Sequence, residues 1–177
     1  MSPHAFVDES ARGGRYILCA ALVEARDLDD VRKLARSLCL PGQARWHFKS
    51  ESDRRRRQII DQIVRCDAVR ARLYFGKGPD LSVRRDGLTA IVSDLLDLKT
   101  GRLVIESRES LDAFDRHYIA EALRKASTEL AYTHLRPRQE PCLWLPDAVA
   151  WAYGAGGHWR RRLQPMIDKA LDVGDVT

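Results

Sequence analysis

Two apolar stretches near the beginning of the sequence predict a β-hairpin. Residues 4–9 (HAFVDE) have the pattern of a short strand ending in two acids, and residues 15–24 (RYILCAALVE) that of a second, largely buried strand. Gly13 and Gly14 lie between them, and glycine is a residue that tight hairpin turns favour. The first 24 residues therefore predict two antiparallel strands.

After the hairpin, apolar residues recur at helical spacing in some segments and alternate with polar residues in others. One predicted helix follows a polar cap at residues 50–53 and runs through Cys66. The other predicted helices cover residues 29–40, 84–98, 111–130, 141–153 and 158–171, and the predicted strands cover 44–48, 69–76, 102–107 and 131–135. This order predicts an α/β fold with a mixed sheet and helices on both faces.

Composition adds few restrictions. The 177 residues contain no repeat and no linker long enough to divide the chain, so we expect a single domain over residues 1–177. The sequence has no run of about 18 apolar residues, so it predicts no membrane span. The segment from Met1 to Val7 lacks the basic and long apolar regions of a secretory signal. The four cysteines form no CxxC pair, which favours free thiols in a reducing cytoplasm.

The charge balance favours a polyanionic partner such as nucleic acid. The net charge is +5, and arginine supplies 24 of the 30 basic residues. Arg54 to Arg57 and Arg160 to Arg162 form two basic clusters. Such clusters suit contacts with phosphates, although a solvated helix face has the same pattern. A homo-oligomer is compatible with this sequence.

Three acids lie in apolar surroundings. Asp8 shares a strand face with Phe6, and Glu106 ends the strand-like segment 102–107 (RLVIES). Asp147 is the only charged residue between Glu140 and His158. A buried carboxylate is costly unless it is paired or binds a metal. Each acid alone is more often an ion-pair partner or a helix cap, but the three together favour a site for Mg²⁺ or Mn²⁺.

One histidine is a further candidate for the same chemistry. His47, in RWHFKSES, lies between a predicted strand and a capped helix, near Glu51. It could orient a water molecule or transfer a proton. A structural or solvent-facing role is the alternative interpretation.

Several segments resemble, in order, a bacterial family catalogued as domain of unknown function 3800. The segment AFVDESARGGRYILCAALV resembles the family's opening strands, and LYFGKG and RLVIES resemble its later strands. EPCLWLPDAVAWA resembles a family helix that contains an aspartate. Three positions depart from the family pattern: Ala11 replaces a glycine, Glu106 replaces the commoner aspartate, and Trp144 replaces a glutamine.

The resemblance implies an RNase H-like fold and a set of site residues. Asp8 would bridge the metal ions, and Glu106 and Asp147 would complete their ligands. Glu140 would join them if the helix extends back to it, and Lys77 would neutralise a phosphate. Glu9 ranks lower, because it points away from Asp8 in a regular strand.

These observations lead to one main functional prediction and two alternatives. The main prediction is a nuclease, dependent on Mg²⁺ or Mn²⁺, in which water attacks a phosphodiester of RNA or DNA. The first alternative is a catalytically inactive RNase H-like domain that binds nucleic acid or a protein partner. The second is a metal-dependent hydrolase of a small phosphorylated substrate.

Overall fold

A computed structural model describes residues 2–175 and contains one mixed six-stranded sheet. The strand order across the sheet is β5-β4-β1-β2-β3-β6. The strands are β1 (Pro3–Arg12), β2 (Arg15–Glu24), β3 (Val69–Lys77), β4 (Arg102–Glu106), β5 (Tyr132–Leu135) and β6 (Ile167–Asp172). The β2 strand is antiparallel to both of its neighbours, β1 and β3, whereas β4 and β5 run parallel to β1, and β6 runs parallel to β3.

The predicted hairpin is confirmed. The β1–β2 ladder extends from the Pro3–Glu24 pair to the Arg12–Arg15 pair without interruption. Gly13 and Gly14 close it with φ angles of 58° and 73°, which residues with a Cβ atom rarely adopt. The hairpin occupies the middle of the sheet, so nearly every β2 side chain is buried.

Helices cover both faces of the sheet, as predicted. They are α1 (Leu28–Ser37), α2 (Asp53–Arg65), α3 (Asp80–Asp97), α4 (Glu109–Lys125), α5 (Trp144–Ala155) and α6 (Gly157–Leu163). Apolar residues of α1, α2, α5 and α6 pack in one core with Phe6 and Val104. Those of α3 and α4 pack in a second core with Val7 and Ile105. Alternating side chains along β1 and β4 therefore enter opposite layers.

Two predicted elements are wrong. Residues 44–47 form no strand, and a 3-10 turn follows at Phe48–Ser50. Trp46 is completely buried and its Nε1 donates to the Ala35 carbonyl, 2.9 Å away, so the alternating apolar residues fill the core instead of pairing in the sheet. The predicted helix 158–171 ends at Leu163, and the chain then forms a 3-10 turn and β6.

Other features agree with the sequence. All four cysteines are free, and Cys19 and Cys142 are buried. Gly156, between α5 and α6, has a φ of 70° and ends α5. In the described chain, no helix combines the length and the apolar character needed to span a bilayer.

Candidate metal centre

Asp8 and Glu106 lie next to each other in the sheet. The parallel β1–β4 ladder pairs Phe6 with Val104 and Val7 with Ile105, so Asp8 and Glu106 follow directly where this pairing ends. Glu106 is the last residue of β4, whereas β1 continues past Asp8 to Arg12 and there pairs with β2. Both acids continue the strand face that carries Phe6 and Val104. Glu106 is within hydrogen-bonding reach of Asp8. The sheet register therefore brings together two acids that are 98 residues apart in sequence.

Asp147 reaches the same place from the helix layer. It lies in the first turn of α5, which packs on β1, and is 9% exposed. The backbone N–H of Phe48 donates to Asp147 Oδ2 over 3.1 Å, and His47 lies near the same carboxylate. The 3-10 turn that begins at Phe48 thus fixes the Asp147 carboxylate.

The surroundings of these acids disfavour their charged forms. Asp8 is 3% exposed, and burial raises its pKa well above the usual aspartate value; Glu106 and Asp147 raise it further. Burial also raises the pKa of Asp147, and the negative charge of Glu106 adds to this, although the Phe48 N–H and His47 oppose it. A proton or a metal cation would relieve this repulsion.

Other buried acids of the chain have basic partners. Glu9 pairs with Arg84 and Arg108, Asp115 pairs with Arg84, and Glu140 pairs with Arg32. Within residues 2–175, Asp8, Glu106 and Asp147 form no ion pair with lysine or arginine. The three acids selected from the sequence are therefore buried or half-buried carboxylates without a basic partner.

A cleft of about 450 Å³ opens at this end of the sheet. On the α5 side it is lined by His47, Asp147 and Trp151, and on the α3–α4 side by Arg84 and Arg108. Asp8 and Glu9 lie between the two sides, in the part of β1 that extends beyond its pairing with β4. The cleft therefore crosses from one helix layer to the other over the end of the sheet.

The predicted site residues differ in their positions. His47 is exposed and lines the cleft beside Asp147. Lys77 is exposed at the end of β3, opposite Arg15 in the ladder, and does not line the cleft. The structure thus brings His47, but not Lys77, to the walls of the cleft.

The contacts of Glu140 indicate a structural role. Arg32 donates to both of its carboxylate oxygens, with a shortest contact of 2.8 Å, and the Cys142 N–H donates to Oε1. Burial would raise the pKa of Glu140, but these hydrogen bonds outweigh it and leave the pKa below the usual glutamate value. The α5 helix begins only at Trp144, after a 3-10 turn at Pro141–Leu143, so Glu140 does not share its face with Asp147. We therefore leave Glu140 out of the candidate centre.

A second group of possible ligands lies on the other side of the sheet. Asp112, Asp115 and His134 bring three ligand atoms within 4.8 Å of one another, and they are the only such group among the described residues. Arg84 already binds both oxygens of Asp115, at 2.6 and 2.7 Å, and His134 Nε2 lies 2.9 Å from the second oxygen. Ion pairing therefore accounts for this group without a metal.

The Arg84 network was missed at the sequence level. Arg84 is 1% exposed and also donates to Glu9 and to the Tyr16 hydroxyl. Arg84 precedes Leu88 by four residues, and Asp115 precedes Ile119 by four, so each charged residue occupies an apolar helix face. Opposite charges at core positions of two neighbouring helices were the available signal.

The architecture and the end-of-sheet site define the class of fold, which is RNase H-like. A structure of the PCNA:RNase HII complex from Archaeoglobus fulgidus matches with a TM-score of 0.60. The match has 15% sequence identity and covers 92% of this chain and 76% of that chain, so the similarity concerns the fold alone. No protein-family model and no curated protein matches the sequence, so the resemblance to the domain-of-unknown-function family is not confirmed.

Proposed function

We propose that this protein is a metal-dependent nuclease that hydrolyses phosphodiester bonds of RNA or DNA. The observation that carries the proposal is the group formed by Asp8, Glu106 and Asp147, of which Asp8 and Asp147 line the cleft. Burial and the neighbouring charge of Glu106 raise the pKa of both aspartates, and none of the three acids has a basic partner among residues 2–175. The similarity of fold to an RNase HII supports the same class of reaction.

The donor set fits Mg²⁺ or Mn²⁺. Both ions prefer carboxylate oxygens and water, and a bound cation would stabilise the charged forms that burial disfavours. Asp8 and Asp147 would hold the ion from the sheet and the helix, and Glu106 would contribute a third carboxylate. Divalent ions in such sites polarise phosphoryl oxygens and lower the pKa of bound water.

Residues around the carboxylates supply the remaining chemistry. His47 is exposed beside Asp147, where it can take up or release a proton at the edge of the site. The net charge of +5 favours attraction of a polyanion, and Arg12 and Arg56 both stack on the Trp151 ring, at 4.4 and 4.3 Å, beside the cleft. These features support nucleic acid as the substrate class.

Manganese titration by calorimetry tests the centre without requiring the right substrate. Wild type should bind Mn²⁺, whereas Asp8→Asn and Asp147→Asn should each lose affinity by at least about tenfold, because each removes a charged ligand. Asp112→Asn is the matched control and should bind like wild type. Unchanged affinity in Asp8→Asn, or loss of affinity in Asp112→Asn alone, would contradict the proposed centre.

The second candidate is a catalytically inactive domain that binds nucleic acid. It is favoured by the spacing of the three carboxylates, whose oxygens do not all lie within 4.8 Å of one another. Salt-dependent oligonucleotide binding that is unchanged in Asp8→Asn, with no cleavage in Mn²⁺, would support this candidate over the nuclease.

A further inference from the structure

We propose that Arg108 binds a substrate phosphate on the cleft wall opposite Asp147, and that Glu9 positions Arg108 instead of binding metal. This proposal rests on the nuclease function proposed above and specifies how its substrate is held. It concerns the α3–α4 side of the cleft, where Glu9, Arg84 and Arg108 meet.

Glu9 follows Asp8 directly but enters the other layer. Its Oε2 lies 2.9 Å from Arg84 Nη1, and its Oε1 lies 2.5 Å from Arg108 Nε. The Glu9 side chain is 9% exposed, and its two oxygens each have an arginine partner. A carboxylate neutralised by two guanidinium groups is a poor ligand for a cation. Adjacent acids in one strand therefore have different roles.

Arg84 cannot itself reach a substrate, because its side chain is 1% exposed and bound by Asp115, Glu9 and Tyr16. It does fix Glu9 from behind. The charges alternate from Asp115 through Arg84 and Glu9 to Arg108, so each buried charge has an opposite neighbour. Through these contacts, the buried residues at the α3–α4 interface hold Arg108 in a fixed position at the cleft.

Arg108 is fixed at both its backbone and its side chain. Its N–H donates to Asp112 Oδ1 over 2.7 Å, and Asp112 Oδ2 accepts from the Ser107 hydroxyl over 2.6 Å. At the other end, Glu9 holds the guanidinium. A group held in this way loses little conformational freedom when it binds a ligand.

The Arg108 guanidinium still has donors for a ligand. Its side chain is 49% exposed, and Glu9 is its one ion-pair partner among the described residues. A guanidinium carries five N–H donors in a fork that matches phosphate oxygens. Arg108 is also close enough to Asp8 and Glu106 to feel their charge. A phosphate held by Arg108 would therefore lie beside the carboxylates.

The first test measures binding of a fluorescein-labelled 20-base-pair RNA–DNA hybrid in EDTA over a range of KCl concentrations. Arg108→Gln should weaken binding about tenfold and reduce the slope of log affinity against log salt by about 1, because one phosphate contact is lost. Arg108→Lys should retain most of the slope. Arg124→Gln, an exposed position near the other end of α4, is the control and should not change hybrid affinity. An unchanged slope in Arg108→Gln, or no binding by wild type, would overturn the proposal.

The second test separates positioning from metal binding. Glu9→Gln should keep wild-type Mn²⁺ affinity by calorimetry, whereas a tenfold loss would make Glu9 a ligand and refute its assigned role. Whatever change Glu9→Gln causes in hybrid affinity should disappear in the Arg108→Gln background, since Glu9 acts through Arg108. Persistence of the same change in the double variant would also refute it. If Asp8→Asn binds Mn²⁺ normally, the metal centre itself fails, and the EDTA experiment still decides the role of Arg108.

Discussion

Asp8 and Glu106 lie side by side where the pairing of the parallel strands β1 and β4 ends, within hydrogen-bonding reach and without a basic partner among the described residues. Because both groups are acids, this contact is favourable only when a proton or a cation lies between them. The stability of the protein should therefore depend on pH and on divalent metal in a way that a single substitution removes.

Asp8→Asn should stabilise the metal-free protein. Asparagine has nearly the same shape as aspartate but no charge, so the substitution removes the buried repulsion. The free energy of unfolding in EDTA at pH 7 should rise by about 1–3 kcal/mol, the usual scale for an uncompensated buried polar group. Urea denaturation measures this change. Asp67→Asn, an exposed acid in the turn before β3, is the control and should change stability by less than about 0.5 kcal/mol. A destabilised Asp8→Asn would contradict the argument.

The stability difference between wild type and Asp8→Asn should vary with pH in one direction. The pKa of Asp8 is raised in the folded state, so the folded protein binds more protons than the unfolded chain above the ordinary aspartate pKa of about 4. Wild type should therefore lose stability relative to the variant as pH rises from about 4 through the raised pKa of Asp8. Urea midpoints in EDTA at several pH values measure the difference. A wild type that gains relative stability with rising pH would refute this sign.

Manganese should offset the loss of stability that the buried charge of Asp8 causes. A ligand present at 100 times its Kd stabilises a protein by about 2.7 kcal/mol, so saturating Mn²⁺ should raise the Tm of wild type. Asp8→Asn and Asp147→Asn should show little or no shift. Glu140→Gln should keep the full manganese shift, although its lower starting Tm would reflect the loss of the Arg32 ion pair. Scanning calorimetry with and without Mn²⁺ measures both effects, and loss of the shift in Glu140→Gln would return that residue to the metal site.

The Arg84–Asp115 pair should be important for folding. Asp115 is completely buried, so Asp115→Ala leaves Arg84 without its bidentate partner and should cost about 3–5 kcal/mol in unfolding free energy. Arg85→Ala, next to Arg84 but exposed, should cost less than about 0.5 kcal/mol. Equal losses in the two variants by urea denaturation would show that the buried pair is not special.

The sequence predicted the secondary structure best where the spacing of apolar residues follows a single period. Alternation in β1, and apolar runs in β2 and β4, predicted the strands that carry Asp8 and Glu106, because side-chain direction in a strand follows directly from position. The order of strands and helices predicted a mixed sheet covered on both faces. Asp8 and Glu106 could therefore each be placed on the same face of its own strand as a preceding apolar residue, whereas the pairing of β1 with β4 that brings them together was not predicted.

The wrong predictions arose where the apolar spacing fits a helix but pairing with a distant strand determines the structure. Leu163, Ile167 and Leu171 have the spacing of a helix, but Ile167 and Leu171 pack on opposite faces of the sheet, because the β3–β6 register shifts after Ile167. Pro165 favours the end of the helix, and pairing with β3, about 97 residues earlier, selects the strand. Lys77 was assigned from the resemblance to the domain-of-unknown-function family, and such a resemblance does not determine on which side of a strand end a cleft opens.

The adjacency of Asp8 and Glu9 makes this part of β1 intolerant of length changes. One residue inserted or deleted between Phe6 and Asp8 would exchange the faces of the two acids, directing the arginine-bound carboxylate into the α5 layer and the unpartnered one toward Arg84. The Gly13–Gly14 turn has no such restriction, since it is exposed beyond the Arg12–Arg15 pair and a longer turn would leave the faces of Asp8 and Glu9 unchanged. Among homologues, length variation should therefore accumulate at the hairpin tip and be absent from the four residues Val7 to Ser10. An alignment can use the Asp-Glu pair as a fixed reference even where overall identity is low.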